Sequence, residues 1–137
     1  MKMEIIEIDG AGGNRLYIRD HLPTSGQSIG TFVCVHGLGE HGGRYGHFAE
    51  WLAERGWRVI IGDLRGHGCS GGTRTHVLSF EEYPSDLAEI WRHFQLQNKS
   101  AVLFGHSMGG LIAIRGVQMG CVDPAALVLT SPLLGLK

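Results

Sequence analysis

Apolar positions along this chain follow two alternating rhythms, and their order predicts the fold. Residues 3–8 alternate apolar and charged, the period of a half-buried strand. A glycine turn at 10–14 leads into a returning strand over 16–21, which makes a hairpin. Thr31-Phe32-Val33-Cys34-Val35-His36 is apolar almost throughout, as in a strand covered on both faces. The rhythm then changes. Tyr45, Phe48, Ala49 and Leu52 recur at helical spacing and predict a helix over about 44–55, stopped by Gly56. Residues 57–62 form a second buried run ending at Asp63, and 66–72 form a glycine-rich loop.

Ser79 with Glu82 three residues on has the form of a capping box. Pro84 places the helix start close by, with the proline in the first turn. Tyr83, Leu87, Ile90, Trp91 and Phe94 then give the buried stripe. The run 101–104 is a third buried strand, a helix follows to about Gly120, and 126–131 is one more strand. Buried strands alternating with amphipathic helices predict an α/β domain with a mostly parallel sheet, led by an antiparallel hairpin. In such sheets, ligands gather where strands end and helices begin.

Composition narrows the picture without changing it. A length of 137 residues suits one domain with a real core, and 43% hydrophobic with 18% charged residues is ordinary globular composition. A formal charge of -1 gives no reason to expect nucleic acid or an anionic membrane surface as partner. Cys34, Cys69 and Cys121 make an odd count without C-x-x-C, which points to reduced thiols and a cytoplasmic location. The acid-bearing N-terminus is no signal peptide, and no apolar run approaches the ~18 residues of a membrane span. Eight histidines without H-E-x-x-H or clustered cysteines predict no metal site.

Three motifs sit at predicted strand ends. The central one is Gly105-His106-Ser107-Met108-Gly109, at a strand-to-helix turn. G-x-S-x-G should occur by chance about 0.2 times in a chain of this composition, so context has to carry it. A serine that attacks a carbonyl must be lifted clear of the sheet on a strained backbone. The glycines two before and two after it leave room for strand and helix to approach. The N–H of Met108 would then face the developing oxyanion.

The second motif, His36-Gly37-Leu38-Gly39-Glu40-His41-Gly42-Gly43, reads either as a turn aimed at the space around Ser107 or as a G-x-G-x-x-G dinucleotide fingerprint. The third runs from Asp63 to Gly72. It predicts a tight loop braced by an Asp63–Arg65 pair, with His67 packed between glycines.

In family order and at family-like spacing, these motifs, with Gly110 and Ser131-Pro132, resemble the monoacylglycerol lipase and lysophospholipase group of α/β-hydrolases. The resemblance covers essentially the whole chain. It implies the α/β-hydrolase fold, Ser107 as nucleophile, and the backbone N–H groups of Leu38 and Met108 as the oxyanion hole. It also implies that His36 and Gly37, with Gly39 and His106, shape the site. Hydrolysis of small lipid or carboxylic esters through an acyl-enzyme, with no cofactor, follows from it.

In this fold the triad runs Ser, then Asp or Glu, then His. After Ser107 the sequence holds one acid, Asp123, and no histidine. The expectation is therefore the N-terminal portion of a single hydrolase domain, residues 1–137, truncated after about the sixth strand. The strand at 126–131 would present an unpaired apolar edge, open to self-association or to completion by a second chain. The alternatives are a non-catalytic fragment serving as a binding or assembly module, and a dinucleotide-binding domain. Peptidases of the same fold stay open.

Overall fold

The structure is a computed structural model and describes residues 2–135. Six strands form one sheet: β1 (Lys2–Asp9), β2 (Arg15–Leu22), β3 (Gly30–Val35), β4 (Trp57–Gly62), β5 (Ala101–His106) and β6 (Ala126–Thr130). Their order is β1-β2-β4-β3-β5-β6. The hairpin β1–β2 is antiparallel and joins β4 antiparallel; β4, β3, β5 and β6 are parallel. This is the predicted architecture of an α/β-hydrolase sheet.

Alternation along the strands decides which helix covers which face. Val33, Val35, Ile60 and Leu103 point to one side and pack with Trp91 of α2 (Glu82–His93) and Ile112 and Ala113 of α3 (Met108–Gln118). Their neighbours Cys34, Val59, Ile61 and Phe104 point to the other side, against Ala49 and Leu52 of α1 (Gly46–Ala53). Continuous apolar runs are thus covered on both faces, as two-sided burial requires. The one buried acid inside a strand, Asp20, receives a bidentate grip from Arg58 on β4, at 2.9 and 2.7 Å.

Two boundaries differ from the sequence expectation. The helix expected from residue 44 begins as a 3₁₀ turn, Gly42–Tyr45, and becomes α-helical at Gly46. Two contacts pin the backbone before the helix starts: the Gly42 N–H donates to Asp63, far along the chain, and the Gly43 N–H donates to the capping His41 ring. The Ser79–Glu82 pair acts one turn ahead of α2. The Ser79 hydroxyl accepts from the Glu81 N–H at 3.3 Å, and the Glu82 carboxylate accepts from the Leu78 N–H at 3.2 Å. Pro84 lies in the first turn of α2, where no N–H is needed. Gly56 ends the α1 segment with φ +93°.

At the far side of the sheet, β6 pairs with β5 alone. Leu127 and Val128 on it are 39% and 40% exposed. The opposite edge, β1, carries Lys2, Glu4, Glu7 and Asp9, charges of the kind that discourage edge-to-edge pairing.

Candidate active site

The segments beyond the carboxyl ends of β3, β5 and β6 meet around one residue. Ser107 joins β5 to α3 with φ 55° and ψ −120°, a backbone conformation that a side-chain-bearing residue adopts only when its surroundings impose it. Strand and helix are so close that a Cβ on Gly105 would lie 2.5 Å from the Gly109 carbonyl oxygen. One on Gly109 would lie 2.1 Å from the carbonyl oxygen of Val35. Both glycines are there for proximity, as the motif predicted.

The strain is held by chain that comes later. The Ser107 N–H donates to the Thr130 carbonyl at 3.0 Å, and its own carbonyl accepts from the N–H groups of Gly110 and Leu133, both at 2.9 Å. The His106 ring turns sideways to Thr130, with Nδ1 at 2.8 Å from Oγ1. Pro132 packs over Gly110, where an added Cβ would sit 2.9 Å from the proline Cβ. The segment 130–133 therefore clamps the elbow. His106 is a brace here, engaged with β6 rather than with the serine.

The turn at 37–40 lies directly against the elbow. A Cβ placed on Gly37 would be 3.3 Å from the Ser107 Cβ and 2.8 Å from Glu40 Oε1. The turn is closed twice: the Glu40 N–H donates to the Gly37 carbonyl at 3.2 Å, and the Gly37 N–H donates to the Glu40 carboxylate at 2.8 Å. Gly39 supplies a left-handed residue, φ +77°. Met108 is the first residue of α3, so its N–H has no acceptor inside the helix and lies at the positive end of the dipole.

His36 shapes this turn from below and is fully buried. Its Nε2 accepts from the Leu64 N–H at 2.8 Å, so the ring proton sits on Nδ1 and is donated to the Gly37 carbonyl, also 2.8 Å away. Burial pushes its pKa down to about 4; the Gly37 carbonyl, Asp63 and Glu40 act in the opposite direction. The neutral ring thus ties the end of β3 to the end of β4. His67 packs edge-on against it at 5.3 Å and bonds the Arg65 carbonyl through Nδ1 at 3.0 Å, the packing role its sequence position suggested.

The expected Asp63–Arg65 pair does not form. Asp63 accepts from Arg19 and from the Gly42 N–H, both at 2.7 Å, and from the Cys69 N–H at 2.9 Å. Arg65 grips Asp86 of α2 through two bonds of 2.9 Å and also reaches the Ala11 carbonyl. The two residues use partners on opposite faces of the sheet, so closeness in sequence misleads. Both still serve as braces of the loop behind the elbow.

The same contacts dispose of the dinucleotide reading. The N–H groups of Gly37, Gly42 and Gly43 that would cradle a pyrophosphate are taken by Glu40, Asp63 and His41. Asp63, the candidate ribose ligand, is buried. Three residues at this site were missed by sequence reasoning in the roles they hold: Glu40, Thr130 and Arg19. The one available signal was Glu40, a carboxylate set between glycines with no helix or charge cluster to explain it.

A family model described as "Serine aminopeptidase, S33" matches residues 26–137. The chain belongs to this family. It is 39% identical over 114 residues to "Phospholipase YtpA" of Bacillus subtilis, covering 80% of this chain and 42% of that protein. It is 36% identical over 126 residues to human "Monoglyceride lipase", covering 90% and 41% respectively. Among solved structures, the monoacylglycerol lipase of Paleococcus ferrophilus superposes with a TM-score of 0.76 at 38% identity, over 88% of this chain and 44% of that one. The family, with these relatives, places the chain among the α/β-hydrolases of the lipase and phospholipase group. The chain spans less than half the length of each of them.

Proposed function

We propose that this chain carries the nucleophile half of a serine hydrolase acting on monoacylglycerol-like or lysophospholipid-like esters. Ser107 Oγ adds to the acyl carbon while its proton passes to a base. The N–H groups of Leu38 and Met108 receive the oxyanion, the alcohol departs, and water then frees the acyl group. The observation that carries this reading is the strained serine with the 37–40 turn packed against it. Ester rather than peptide cleavage is favoured by the lipase and phospholipase relatives, although the family description names an aminopeptidase. The exposed Leu38 side chain at the rim suits an acyl substrate. No helix of the described residues is long and apolar enough to cross a membrane.

Among the described residues no base stands ready for Ser107. His36, His67 and His106 are each engaged elsewhere, and no histidine follows Ser107 in sequence. Asp123, the one acid after Ser107, is taken by Trp91 and the Asn98 N–H, so the proposed reaction requires an acid and a base that these residues do not supply. Hydrolysis of a short p-nitrophenyl ester, with Ser107→Ala as control, tests this. The chain by itself should turn over no faster than the control, whereas a chain extended by an acid- and histidine-bearing segment should gain turnover that Ser107→Ala removes. Turnover by the 137-residue chain that vanishes in the control would overturn the placement of the base. Serine-independent turnover in the extended chain would overturn the hydrolase reading.

The free β6 edge supports a second proposal: alone, the chain self-associates or is completed through Leu127 and Val128. Light scattering should find species larger than a monomer, reduced by Val128→Lys. A monodisperse, cooperatively melting monomer would contradict it.

A further inference from the structure

The Glu40 carboxylate makes more contacts than a surface turn residue needs. Its side chain is only 18% exposed. Oε1 accepts from the Gly37 N–H at 2.8 Å and from the Tyr45 hydroxyl at 3.1 Å, while Oε2 faces Arg44 at 3.6 Å. The turn it closes, Gly37 to Glu40, contains three peptide units, and the first carries the Leu38 N–H. A Cβ at position 37 would lie 2.8 Å from the same Oε1, so a side chain there would displace the carboxylate. The carboxylate therefore occupies space that the turn has been built around.

We propose that Glu40 is a positioning residue for the Leu38 N–H. Its carboxylate holds the Gly37 N–H, its own N–H holds the Gly37 carbonyl, and Tyr45 fixes the carboxylate, so that Gly37 is gripped on both sides and the Leu38 donor points toward Ser107 before any substrate arrives. This rests on the oxyanion-hole reading above and deepens it. A preorganised donor needs no reorganisation as charge develops, which is the main source of its effect. With no acceptor side chain at 40, the Gly37–Leu38 peptide is held through its carbonyl alone, by the Glu40 N–H and the His36 ring, and the Leu38 N–H is less firmly aimed.

Four groups facing the carboxylate matter for its charge. Burial opposes ionisation, but the Gly37 N–H, the Tyr45 hydroxyl, His106 and Arg44 together outweigh it and hold the carboxyl below its ordinary value. The turn should therefore stay assembled through the neutral range and loosen only in strong acid.

The test uses amide resonances of the full chain. Those of Gly37 and Leu38 should shift together with pH, at a midpoint below the usual ~4.3 of a glutamate. Glu40→Gln keeps an acceptor for Gly37 but has no charge to lose, so it should hold the turn while abolishing the titration. Glu40→Ala should speed hydrogen exchange at 37–39 and leave the strand amides unchanged. Tyr45→Phe should raise the midpoint.

A second readout is binding of phenylboronic acid. The Ser107 oxygen adds to boron, its proton goes to solvent, and one boronate oxygen occupies the oxyanion site. Glu40→Ala should weaken this roughly tenfold and Glu40→Gln less, against ~100-fold or more for outright loss of a donor. Amides of Gly37 and Leu38 that ignore both pH and the substitutions would overturn the proposal. So would boronate affinity unchanged in Glu40→Ala. Boronate binding that is absent from the native chain, or indifferent to Ser107→Ala, would instead sink the oxyanion-hole reading, with the amide titration still deciding what Glu40 holds.

Discussion

Gly109→Ala should leave the chain unable to hold its native fold. The added methyl would sit 2.1 Å from the Val35 carbonyl oxygen and 2.5 Å from that of His36, both main-chain atoms of the central strand and its end. Side chains can swing away from an intruder, but a paired central strand cannot without breaking its ladders to β4 and β5. The expected loss is roughly 5 kcal/mol or more, comparable to the whole stability of a small domain. Thermal unfolding by circular dichroism would show it as a lost cooperative transition. Gly46→Ala is the control, since nothing lies within 4 Å of its added methyl; it should change stability by less than about 0.5 kcal/mol. A cooperative, native-like melt for Gly109→Ala would mean that α3 does not approach β3 as closely as described.

The second large effect is on acid stability, through His36. Its folded pKa of about 4 lies below the ordinary 6.5, because the ring is buried and its Nε2 lone pair is committed to the Leu64 N–H. The unfolded chain therefore binds the proton more readily than the folded one. Above pH 6.5 both states are neutral and the full stability is present. As pH falls from 6.5 through about 4 it is progressively lost, by about 3 kcal/mol at most from this one residue. His21, buried on β2, is depressed by burial too and acts in the same direction. Denaturant melts between pH 7 and 4 should show the decline, and His36→Gln, which retains an acceptor for Leu64, should flatten it. An equal slope in both proteins would place the acid sensitivity elsewhere.

What could be read in the sequence was what depends on neighbours along the chain. Apolar runs gave the four parallel strands because both their faces are covered. Helical spacing gave Ala49 and Leu52, and Leu87, Ile90 and Trp91, as core-facing. The serine turn was legible because its glycines are dictated by distances within five residues. What failed involved partners far apart in sequence. Asp63 and Arg65 looked like a pair at two residues' separation, yet each found its partner on another element, Arg19 44 positions and Asp86 21 positions away. Glu40 was visible as part of a glycine motif, but its hold on Gly37 depends on how the turn folds back. Nothing local announces that.

The clamp on the elbow bears on how such a chain matures as it is made. The five-residue signature is finished when Gly109 has been added, and a scan of the sequence would then score the motif as present. Its geometry is not. His106 waits for Thr130, 24 residues on, and the Ser107 carbonyl waits for the N–H of Leu133. A nascent chain that stops between those points owns the motif without the poised hydroxyl. The serine is thus set only after β6 has docked on β5, and its strained turn is not completed on a half-built sheet.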